Sequence, residues 1–318
     1  MKNIAVFIDG KSGQISESSQ RLLVLATNWL SKNNLDNMYV FGFEPVNSEQ
    51  LKEYASVVQY THIKIPDLAN HSQVFSSLLA DIQQKEISQF FYVKSLLMDT
   101  IASFIANKLS LPLIANVLKI ESADSAVHFT KSIFSGKATL TTEIKGDAFI
   151  GAFSKSFAID FTNNTSNSSV SQSEITLGID SQNKLIENHP LTGSIPLPDA
   201  AIVVGAGRGF KDPSNWGIVE DLAKEIGAAT ACSKPVSDLN WRPHHEHVGQ
   251  TGVKIAPKLY IACGISGAIQ HLAGVNGSRK IVVINNDPEA PFFKHADYGI
   301  VGDVFDVLPR LLNKLKSH

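Results

Sequence analysis

Residues 259–285 read LYIACGISGAIQHLAGVNGSRKIVVIN and predict a strand, a helix and a second strand in succession. The two apolar runs, LYIAC and KIVVIN, are continuous rather than alternating, which is typical of strands buried on both faces of a parallel sheet. Between them a helical pattern runs from Ser266 to Ala273. Because strand, crossover helix and parallel strand form the repeating unit of α/β sheets, we predict a doubly wound parallel sheet with a ligand site beyond the carboxyl ends of its strands.

The same pattern continues on both sides of this segment. Upstream lie the runs AAIVVG and AATAC, separated by a predicted helix from Pro213 to Gly227; downstream lie YGIVG and a terminal helix from Phe305. The segment HPLTGSIPLP, residues 189–198, is rich in proline, a composition that marks a linker between domains. We therefore expect two α/β domains, residues 1–190 and 191–318.

The N-terminal domain is predicted to be a second α/β sheet, because strand and helix patterns alternate through its first 120 residues. The predicted elements are the strand IAVFI, a helix from Ser18 to Leu30, the strand MYVFGF, a helix from Glu49 to Tyr54, the strand FFYV and a helix from Thr100 to Leu109. Alternating residues from Val127 to Ile159 predict added antiparallel hairpins. The polar tract Thr162–Ser173 is expected to be a mobile loop. Gly10 and Gly13 do not complete a phosphate-binding turn, so this domain is nucleotide-binding-like without a nucleotide.

Composition excludes several functional classes. With 43% hydrophobic and 18% charged residues the chain is expected to be a soluble globular protein, and a net charge of -2 without a basic stripe excludes nucleic-acid binding. No apolar run is long enough to insert into a membrane. We find neither a signal peptide nor an Arg-rich transit segment and expect a cytoplasmic protein. Cys232 and Cys263 lie in apolar stretches and are expected to be buried free thiols.

The glycine-rich run GAGRGF, residues 205–210, lies between a predicted strand and a predicted helix. Phe210 stands where a dinucleotide fingerprint has its third glycine, and the next strand ends at Cys232 and Ser233 rather than at an acidic residue. Both departures argue against nicotinamide-dinucleotide binding. Two interpretations stay open: the backbone and Arg208 bind a phosphate, or the glycines form a purely structural turn.

Three further motifs carry groups suited to binding. In VGQTG, residues 248–252, two glycines permit close backbone approach and the Thr251 hydroxyl can donate or accept. In GISGAIQH, residues 264–271, Ala268 replaces the second glycine of a nucleophile turn, which argues against a hydrolase and favours an anion site at a helix start. Asn285 ends the strand KIVVIN and should lie on the ligand-facing rim.

Histidines offer two weaker signals. His244-His245-Glu246-His247 are adjacent in the chain and cannot converge on one metal ion, so we predict a solvated loop and no metal site. A lone helical histidine such as His271 more often has a structural role than a functional one. No arrangement of a nucleophile with a base is present in the sequence, and we predict no catalytic residue.

Together these motifs resemble one family. Residues 259–303, from LYIAC to GIVGD, are similar to the signature region of electron-transfer flavoprotein alpha subunits, and GAGRGF and VGQTG lie where that family has its other FAD loops. The resemblance extends from Ala201 to Leu312. Upstream, residues 90–117 and 129–140 are also similar to the family's first domain.

The resemblance implies a set of FAD contacts. Arg208 and Ser233 would bind the diphosphate side or flank the isoalloxazine, Thr251 would face flavin N5, and His271 would lie at the N1/C2=O edge. Asn285, Asp303 and Val304 would hold the adenosine half. The full implied set is Arg208, Ser233, Lys234, Val248, Gly249, Gln250, Thr251, Ser266, Gly267, Ala268, Ile269, Gln270, His271, Asn285, Asp303 and Val304. The family usually has Arg where this chain has Lys234, which keeps the charge but loses the planar fork of donors.

The resemblance also implies a function. The chain would carry electrons on one FAD per heterodimer, accepting them from dehydrogenases such as acyl-CoA dehydrogenases of fatty acid beta-oxidation and passing them to a membrane-bound ETF:quinone oxidoreductase. Its partner would be an electron-transfer flavoprotein beta subunit containing AMP, and it would have no substrate-transforming site of its own. Three alternatives stay open: a nicotinamide-dependent oxidoreductase, an interaction subunit that has lost its cofactor, and an electron-bifurcating member of the family.

Overall fold

The first part of the chain forms a long sheet around a central hydrophobic strand. In this computed structural model the described residues are 2–11, 13–54, 57–64, 75–123, 126–134, 138–159, 169–176 and 195–317. The chain divides into two compact units, residues 1–188 and 189–318. The boundary predicted at residue 190 lies in 177–194, outside the described residues.

The strands and helices of the first unit alternate over most of its length. They are β1 (Asn3–Ile8), β2 (Gly10–Lys11), β3 (Gln14–Ile15), α1 (Glu17–Lys32), β4 (Met38–Gly42), β5 (Val57–Lys64), α2 (Ser76–Gln84), β6 (Ile87–Val93), α3 (Leu96–Leu109), β7 (Leu113–Ala123), β8 (Ala126–Ile133), β9 (Ala138–Lys145), β10 (Phe149–Phe153) and β11 (Ser171–Thr176).

Nine of these strands form one sheet in the order β11-β5-β4-β1-β6-β10-β7-β8-β9. The strands from β11 to β7 pair in parallel, and β8 and β9 add two antiparallel strands at one end. Every residue of β1 is buried, as expected for a central strand covered on both faces. Two hydrophobic clusters, one on either side of the alternating β1 side chains, form the core.

Three predictions for the first unit need correction, and one strand was missed. The segment predicted as a helix from Glu49 to Tyr54 is a 3-10 turn, Ser48–Leu51, and the strand β5 after it was not predicted. Only part of 127–159 is antiparallel, because β10 pairs in parallel with β6 and β7. The polar tract ends in a strand, since Ser171–Thr176 pairs with β5. Most of the rest of that tract, residues 162–168, lies outside the described residues.

The second unit is a five-stranded parallel sheet with helices between its strands. Its elements are β12 (Ile202–Ala206), α4 (Gly217–Glu225), β13 (Ala229–Cys232), α5 (Lys234–Asp238), β14 (Leu259–Cys263), α6 (Ile269–Val275), β15 (Lys280–Asn285), β16 (Tyr298–Val301) and α7 (Val304–Lys316). The strand order is β13-β12-β14-β15-β16. The chain moves from β12 to one side and then returns to the other, so the predicted doubly wound fold is confirmed, with its switch point between β12 and β14.

Both predicted features of the second unit's core are present. Hydrophobic clusters lie on both faces of the sheet, and Cys232 and Cys263 are buried free thiols. Burial raises the pKa of each thiol to about 12, so neither is a nucleophile near neutral pH. No helix in the described residues is long and apolar enough to span a membrane.

Candidate functional site

The loops after β12 and β14 pack directly against each other at the switch point. The backbone amide of Gly207 donates to the carbonyl of Cys263 over 3.0 Å, and that of Gly209 donates to the carbonyl of Gly264 over 3.2 Å. A Cβ at Gly207 would clash with the Gly264 carbonyl. Gly264 itself has φ +60°, a left-handed conformation that favours glycine. The two loops therefore approach closely only because neither carries a side chain at these positions.

The first glycine of GAGRGF has a different role. A Cβ at Gly205 would clash with the hydroxyl of Tyr260, a fully buried residue of the neighbouring strand. Gly205 thus makes room for this hydroxyl. The first glycine of GAGRGF, which resembles that of a dinucleotide-binding fingerprint, is therefore explained by packing within the sheet. Arg208 is exposed in the 3-10 turn Arg208–Phe210, and Phe210 anchors that turn in the core.

The end of β13 brings Ser233 and Lys234 to the same edge of the sheet. The Ser233 amide donates to the carbonyl of Ala206 over 3.1 Å, and the residue is 7% exposed. Lys234 lies beyond it, with its ammonium 2.6 Å from a carboxylate oxygen of Asp238 and more than half of its side chain exposed. The positive charge is present where the sequence predicts it, paired with an acidic neighbour.

The loop 248–252 is fixed to the elements on both sides of it. Val248 donates to the carbonyl of Cys232 over 3.0 Å, and Gln250 donates to that of Gln270 over 2.7 Å. A Cβ at Gly274 would clash with the backbone of Gly249, which holds the loop against α6. The side chains of Gln250 and Thr251 are exposed, so the loop presents an amide and a hydroxyl to its surroundings.

The helix in the segment 264–271 begins later in the chain than predicted. α6 begins at Ile269, whereas the sequence pattern predicts a start at Ser266, and Ala268 caps it without a side-chain hydrogen bond. Ser266 and Gly267 lie in the preceding turn, where Gly267 packs on Phe292. Because the helix has only 7 residues, its dipole offers little to an anion.

His271 is held in the interior by Tyr260. Its Nε2 lies 2.9 Å from the Tyr260 hydroxyl, while Nδ1 is buried without a hydrogen-bond partner. The pKa of His271 is lowered to about 4, chiefly by burial and also by the nearby His247, while a hydrogen-bonding contact with the Val248 backbone opposes both. The imidazole is therefore neutral at neutral pH, and its Nδ1 is enclosed in the interior of the second unit.

The predicted solvated loop His244–His247 is wrong in its second half. Glu246 is 8% exposed and accepts hydrogen bonds from Arg242 at 2.7 and 2.9 Å, and His247 is only 2% exposed. The Nδ1 of His247 is also buried without a partner, and burial lowers its pKa. Four adjacent polar residues predicted an exposed loop. Arg242 neutralises Glu246, however, and this pairing allows the carboxylate to be buried. No metal-binding cluster occurs among the described residues.

The remaining predicted residues lie at the ends of β15 and β16. The Asn285 side chain donates to the carbonyl of Ile265 over 3.0 Å and accepts from the amide of Asp287, so it fastens the loop after β14. Asp303 caps α7 by accepting from the amide of Phe305. Val304 is buried in the core, so its side chain is directed away from solvent.

The carboxyl edge of the second unit thus combines loops that converge on the switch point. Direct contacts join the loops after β12, β13 and β14 with the loop 248–252, and Asn285 adds the end of β15. Asp303 joins through Lys211, whose ammonium lies 3.8 Å from its carboxylate, and the amide of the preceding Gly302 donates to the carbonyl of Asn285 over 2.9 Å. The sequence did not predict Tyr260 or His247 as parts of the site, and it offered Gly205 only as the start of a phosphate-binding or structural turn. For Tyr260, the signal in the sequence was the presence of a tyrosine within the otherwise apolar strand LYIAC.

The residues fit a flavin nucleotide by their chemistry. Backbone amides and the exposed Arg208 suit a diphosphate, and the glycine-lined edge permits close approach of a ligand. A doubly wound α/β domain with such an edge defines a nucleotide-binding protein.

Comparison with known proteins narrows this class. The family model described as Electron transfer flavoprotein domain matches residues 4–158, and the Electron transfer flavoprotein FAD-binding domain matches residues 196–276. The chain is 37% identical over 217 residues to the Electron transfer flavoprotein subunit alpha of Syntrophomonas wolfei, covering 68% of each chain. It is 38% identical over 215 residues to that of Bacillus subtilis, covering 67% of this chain and 66% of the relative.

A third relative spans nearly the whole chain. The probable mitochondrial Electron transfer flavoprotein subunit alpha of Cryptococcus neoformans is 30% identical over 327 residues, covering 98% of this chain and 91% of its own length. The chain belongs to the family of electron transfer flavoprotein alpha subunits. It is an electron carrier with an FAD-binding domain rather than a catalytic enzyme, and as an alpha subunit it implies a beta subunit.

Proposed function

We propose that this chain binds one FAD per heterodimer at the carboxyl edge of its second unit and transfers electrons from dehydrogenases, such as acyl-CoA dehydrogenases, to a membrane-bound quinone oxidoreductase. FAD, when bound, supplies the electron-transfer chemistry, and the chain's own residues hold it and tune its potential. The observation that carries the proposal is the meeting of three glycine-containing loops, those after β12 and β14 and the loop 248–252, at the carboxyl edge of the sheet.

The residues of this edge divide by their chemistry. Arg208 offers a planar fork of donors for a diphosphate, and Ser233 lies beside it through its backbone bond to β12. The loop Val248–Thr251 presents its polar side chains to the isoalloxazine, and the segment Ser266–His271 contributes the neutral imidazole. Asn285, with Asp303 and Val304, holds the adenosine half.

Lys234 contributes a positive charge at the same edge. Its pairing with Asp238 holds the ammonium in place but balances part of its field. Because the pair is more than half exposed, water also screens it. We therefore assign to Lys234 a modest stabilisation of negative charge on FAD.

The partner completes the assembly in this proposal. The beta subunit contains AMP, and FAD binds tightly only to the heterodimer. The test compares the flavin content of the chain expressed alone and co-expressed with its beta subunit, followed by counting FAD and AMP per heterodimer. One FAD and one AMP support the proposal. Equal, stoichiometric FAD in both preparations would contradict the need for a partner, and a second flavin per heterodimer would identify a bifurcating member of the family.

Electron delivery has a separate test. The flavin-loaded heterodimer is mixed with a reduced acyl-CoA dehydrogenase, and bleaching of the flavin absorbance is followed. Subsequent reoxidation by the quinone oxidoreductase is then measured. Bleaching without reoxidation would leave the donor assignment intact and overturn the acceptor.

A further inference from the structure

The backbone of Lys211 is strained in the loop after β12. Its φ is +66° and its ψ is -42°, and the amide of Asp212 donates to the carbonyl of Phe210 over 2.7 Å. A hydrogen bond that spans one residue at such angles forms a γ-turn of the rare, strained kind. Glycine adopts a positive φ at little cost, and the same loop has glycine at positions 205, 207 and 209. At position 211 the chain instead has a lysine, in a conformation that disfavours any side chain.

Anchors on both sides of Lys211 impose this turn. Phe210 is fully buried, and its ring centroid lies 5.9 Å from those of Trp216 and Phe305. On the other side, the Asp212 side chain caps the 3-10 turn that follows. The chain has a single residue in which to change direction between these two anchors. The packed structure around the loop therefore holds Lys211 in its strained conformation.

The Lys211 side chain reaches the start of α7. Its ammonium lies 5.1 Å from the centroid of the Phe305 ring, which it faces, and 3.8 Å from a carboxylate oxygen of Asp303. The second distance is too long for a hydrogen bond, and the ammonium makes none to the described residues. The side chain is 68% exposed. The aromatic ring and the carboxylate thus keep the ammonium at the carboxyl edge, while its N–H donors stay available to a ligand.

Lys211 and Arg208 lie in one turn, since the amide of Lys211 donates to the carbonyl of Arg208 over 2.9 Å. The diphosphate of a dinucleotide has two phosphate groups, and each is negatively charged at neutral pH. The planar fork of Arg208 suits one phosphate, and the compact ammonium of Lys211 suits the other. Asp303, which the family resemblance assigns to the adenosine half, lies beside this ammonium. The contact therefore indicates the phosphate on the adenosine side.

We propose that Lys211 binds the adenosine-side phosphate of FAD, beside Arg208, and that the strained turn serves to hold its ammonium there. The phosphate contact rests on the proposed function, whereas the strain of the turn does not. The ligand class is a dinucleotide diphosphate, because a single phosphate needs only one of the two cations. Lys211 is thus a further binding residue that neither the glycine pattern nor the family resemblance identifies.

The phosphate contact is tested by rebinding FAD to the flavin-depleted heterodimer at low and high salt. Lys211→Met keeps a long side chain without its charge and should raise the dissociation constant about fivefold at low salt. The difference should shrink at high salt, since ions screen an exposed charge. Lys211→Arg should remain within about twofold of the parent. The matched control is Lys224→Met, which removes the same charge from an exposed position in the last turn of α4, at the opposite edge of the sheet. Equal weakening by both Met variants, or a loss that salt does not change, would overturn the contact.

A second pair of variants separates ligand binding from folding. Lys211→Ala removes the ammonium and keeps the strain, whereas Lys211→Gly removes both. In the full chain without flavin, the Tm of Lys211→Gly should exceed that of Lys211→Ala by about 3 °C. Lys211→Gly should nevertheless bind FAD as weakly as Lys211→Met does. Parent affinity in Lys211→Gly would overturn the phosphate contact, and a Tm no higher than that of Lys211→Ala would overturn the strain. A parent heterodimer without FAD would contradict the proposed function, while the Tm comparison would still decide the strain.

Discussion

The two units have similar parallel sheets but close their switch points in different ways. In the first unit the loop after β1 bonds to its own neighbours: the Asp9 amide donates to Ser19 Oγ, and Gln50 bonds to both Ile15 and Gly13. After β6, Ser95 caps α3 and Tyr92 donates to Asp99 over 3.0 Å. In the second unit the loops meet through glycine backbones and leave the Nδ1 atoms of His247 and His271 unpartnered.

This difference leaves buried polar atoms without a partner in the loops of the second unit, the unit that the FAD-binding family model matches. Among the described residues of the first unit, the buried polar side-chain atoms without a partner are Thr27 Oγ1 and Ser88 Oγ, on α1 and at the amino end of β6. Neither lies at the carboxyl edge. A sheet whose edge already satisfies its own polar groups gains little from a nucleotide, whereas an edge with unused donors does.

The largest expected effects on the free energy of unfolding come from replacing one glycine by alanine at the carboxyl edge of each sheet. Gly207→Ala places a Cβ against the Gly264 backbone and should destabilise the second unit by about 3 kcal/mol, because backbone cannot move aside cheaply. Gly10→Ala in the first unit meets a Val46 methyl group at 2.8 Å and should cost about 1 kcal/mol. Denaturant unfolding, followed by the tryptophans of each unit, measures both.

Gly217→Ala is the control for that pair. It has no atom within 4 Å of the added Cβ and lies at the start of α4, so it should stabilise the chain by up to about 1 kcal/mol. Equal destabilisation by Gly207→Ala and Gly10→Ala would remove the distinction between the two edges.

Acid should weaken the second unit through its buried histidine. The folded pKa of His271 is about 4 against 6.5 for an ordinary imidazole, so the unfolded chain binds a proton that the folded chain does not. The associated stability is complete above the unfolded pKa of 6.5 and is lost as the pH falls towards 4. Between pH 7 and pH 5 the free energy of unfolding should drop by about 2 kcal/mol.

Variants separate this contribution from general acid sensitivity. His271→Gln should flatten the fall in stability, whereas His245→Gln, at an exposed position of the neighbouring loop, should not. An unchanged pH dependence in His271→Gln would mean that the imidazole is not buried in its neutral form.

Arg208 in the second unit and Lys94 in the first should differ in their contribution to FAD binding. Arg208→Ala should weaken FAD binding by roughly tenfold, or about 1.5 kcal/mol, because a charged hydrogen bond to the diphosphate is lost. Lys94 after β6 lies 3.6 Å from Asp99 and should tolerate alanine without loss of flavin. Flavin retention during dialysis of the heterodimer compares them. Loss of FAD in Lys94→Ala would place the binding edge in the wrong unit.

The smallest expected effect is at Thr251. Thr251→Ala should leave FAD bound and shift its reduction potential, since it removes one hydrogen bond of about 1 kcal/mol without a diphosphate contact. Thr251→Ser, which keeps the hydroxyl, should restore the parent potential. The division between binding and tuning residues would fail if Thr251→Ala emptied the site.

The fold of the second unit could be predicted because its strands are continuous apolar runs between short loops. β5 and β11 escaped prediction because their polar residues, such as those of VVQYTHIK and SQSEIT, interrupt both strand patterns. Such strands are held by pairing with neighbours rather than by their own hydrophobicity.

The site was predictable only where glycine and polar residues are contiguous in the sequence, as in residues 248–252. The bond between Tyr260 and His271 joins a strand to a helix, and no local pattern encodes it. His247 was missed because burial of Glu246 depends on Arg242, a partner that composition alone does not identify. The parts of the site that could not be predicted therefore depend on charge pairing and tertiary packing between residues that are distant in local pattern.

The contact between the loops at Gly207 and Gly264 also has a kinetic consequence. These glycines are far apart in the chain, and their contact can form only after β12 has paired with β14. Interactions made after the rate-limiting barrier affect unfolding rates and not folding rates. A methyl group at Gly207 should therefore shorten the lifetime of the folded unit while leaving its speed of folding unchanged. On this reasoning the edge proposed to hold FAD assembles after the strands have paired, and bound FAD would lengthen the lifetime of the folded unit by closing that edge.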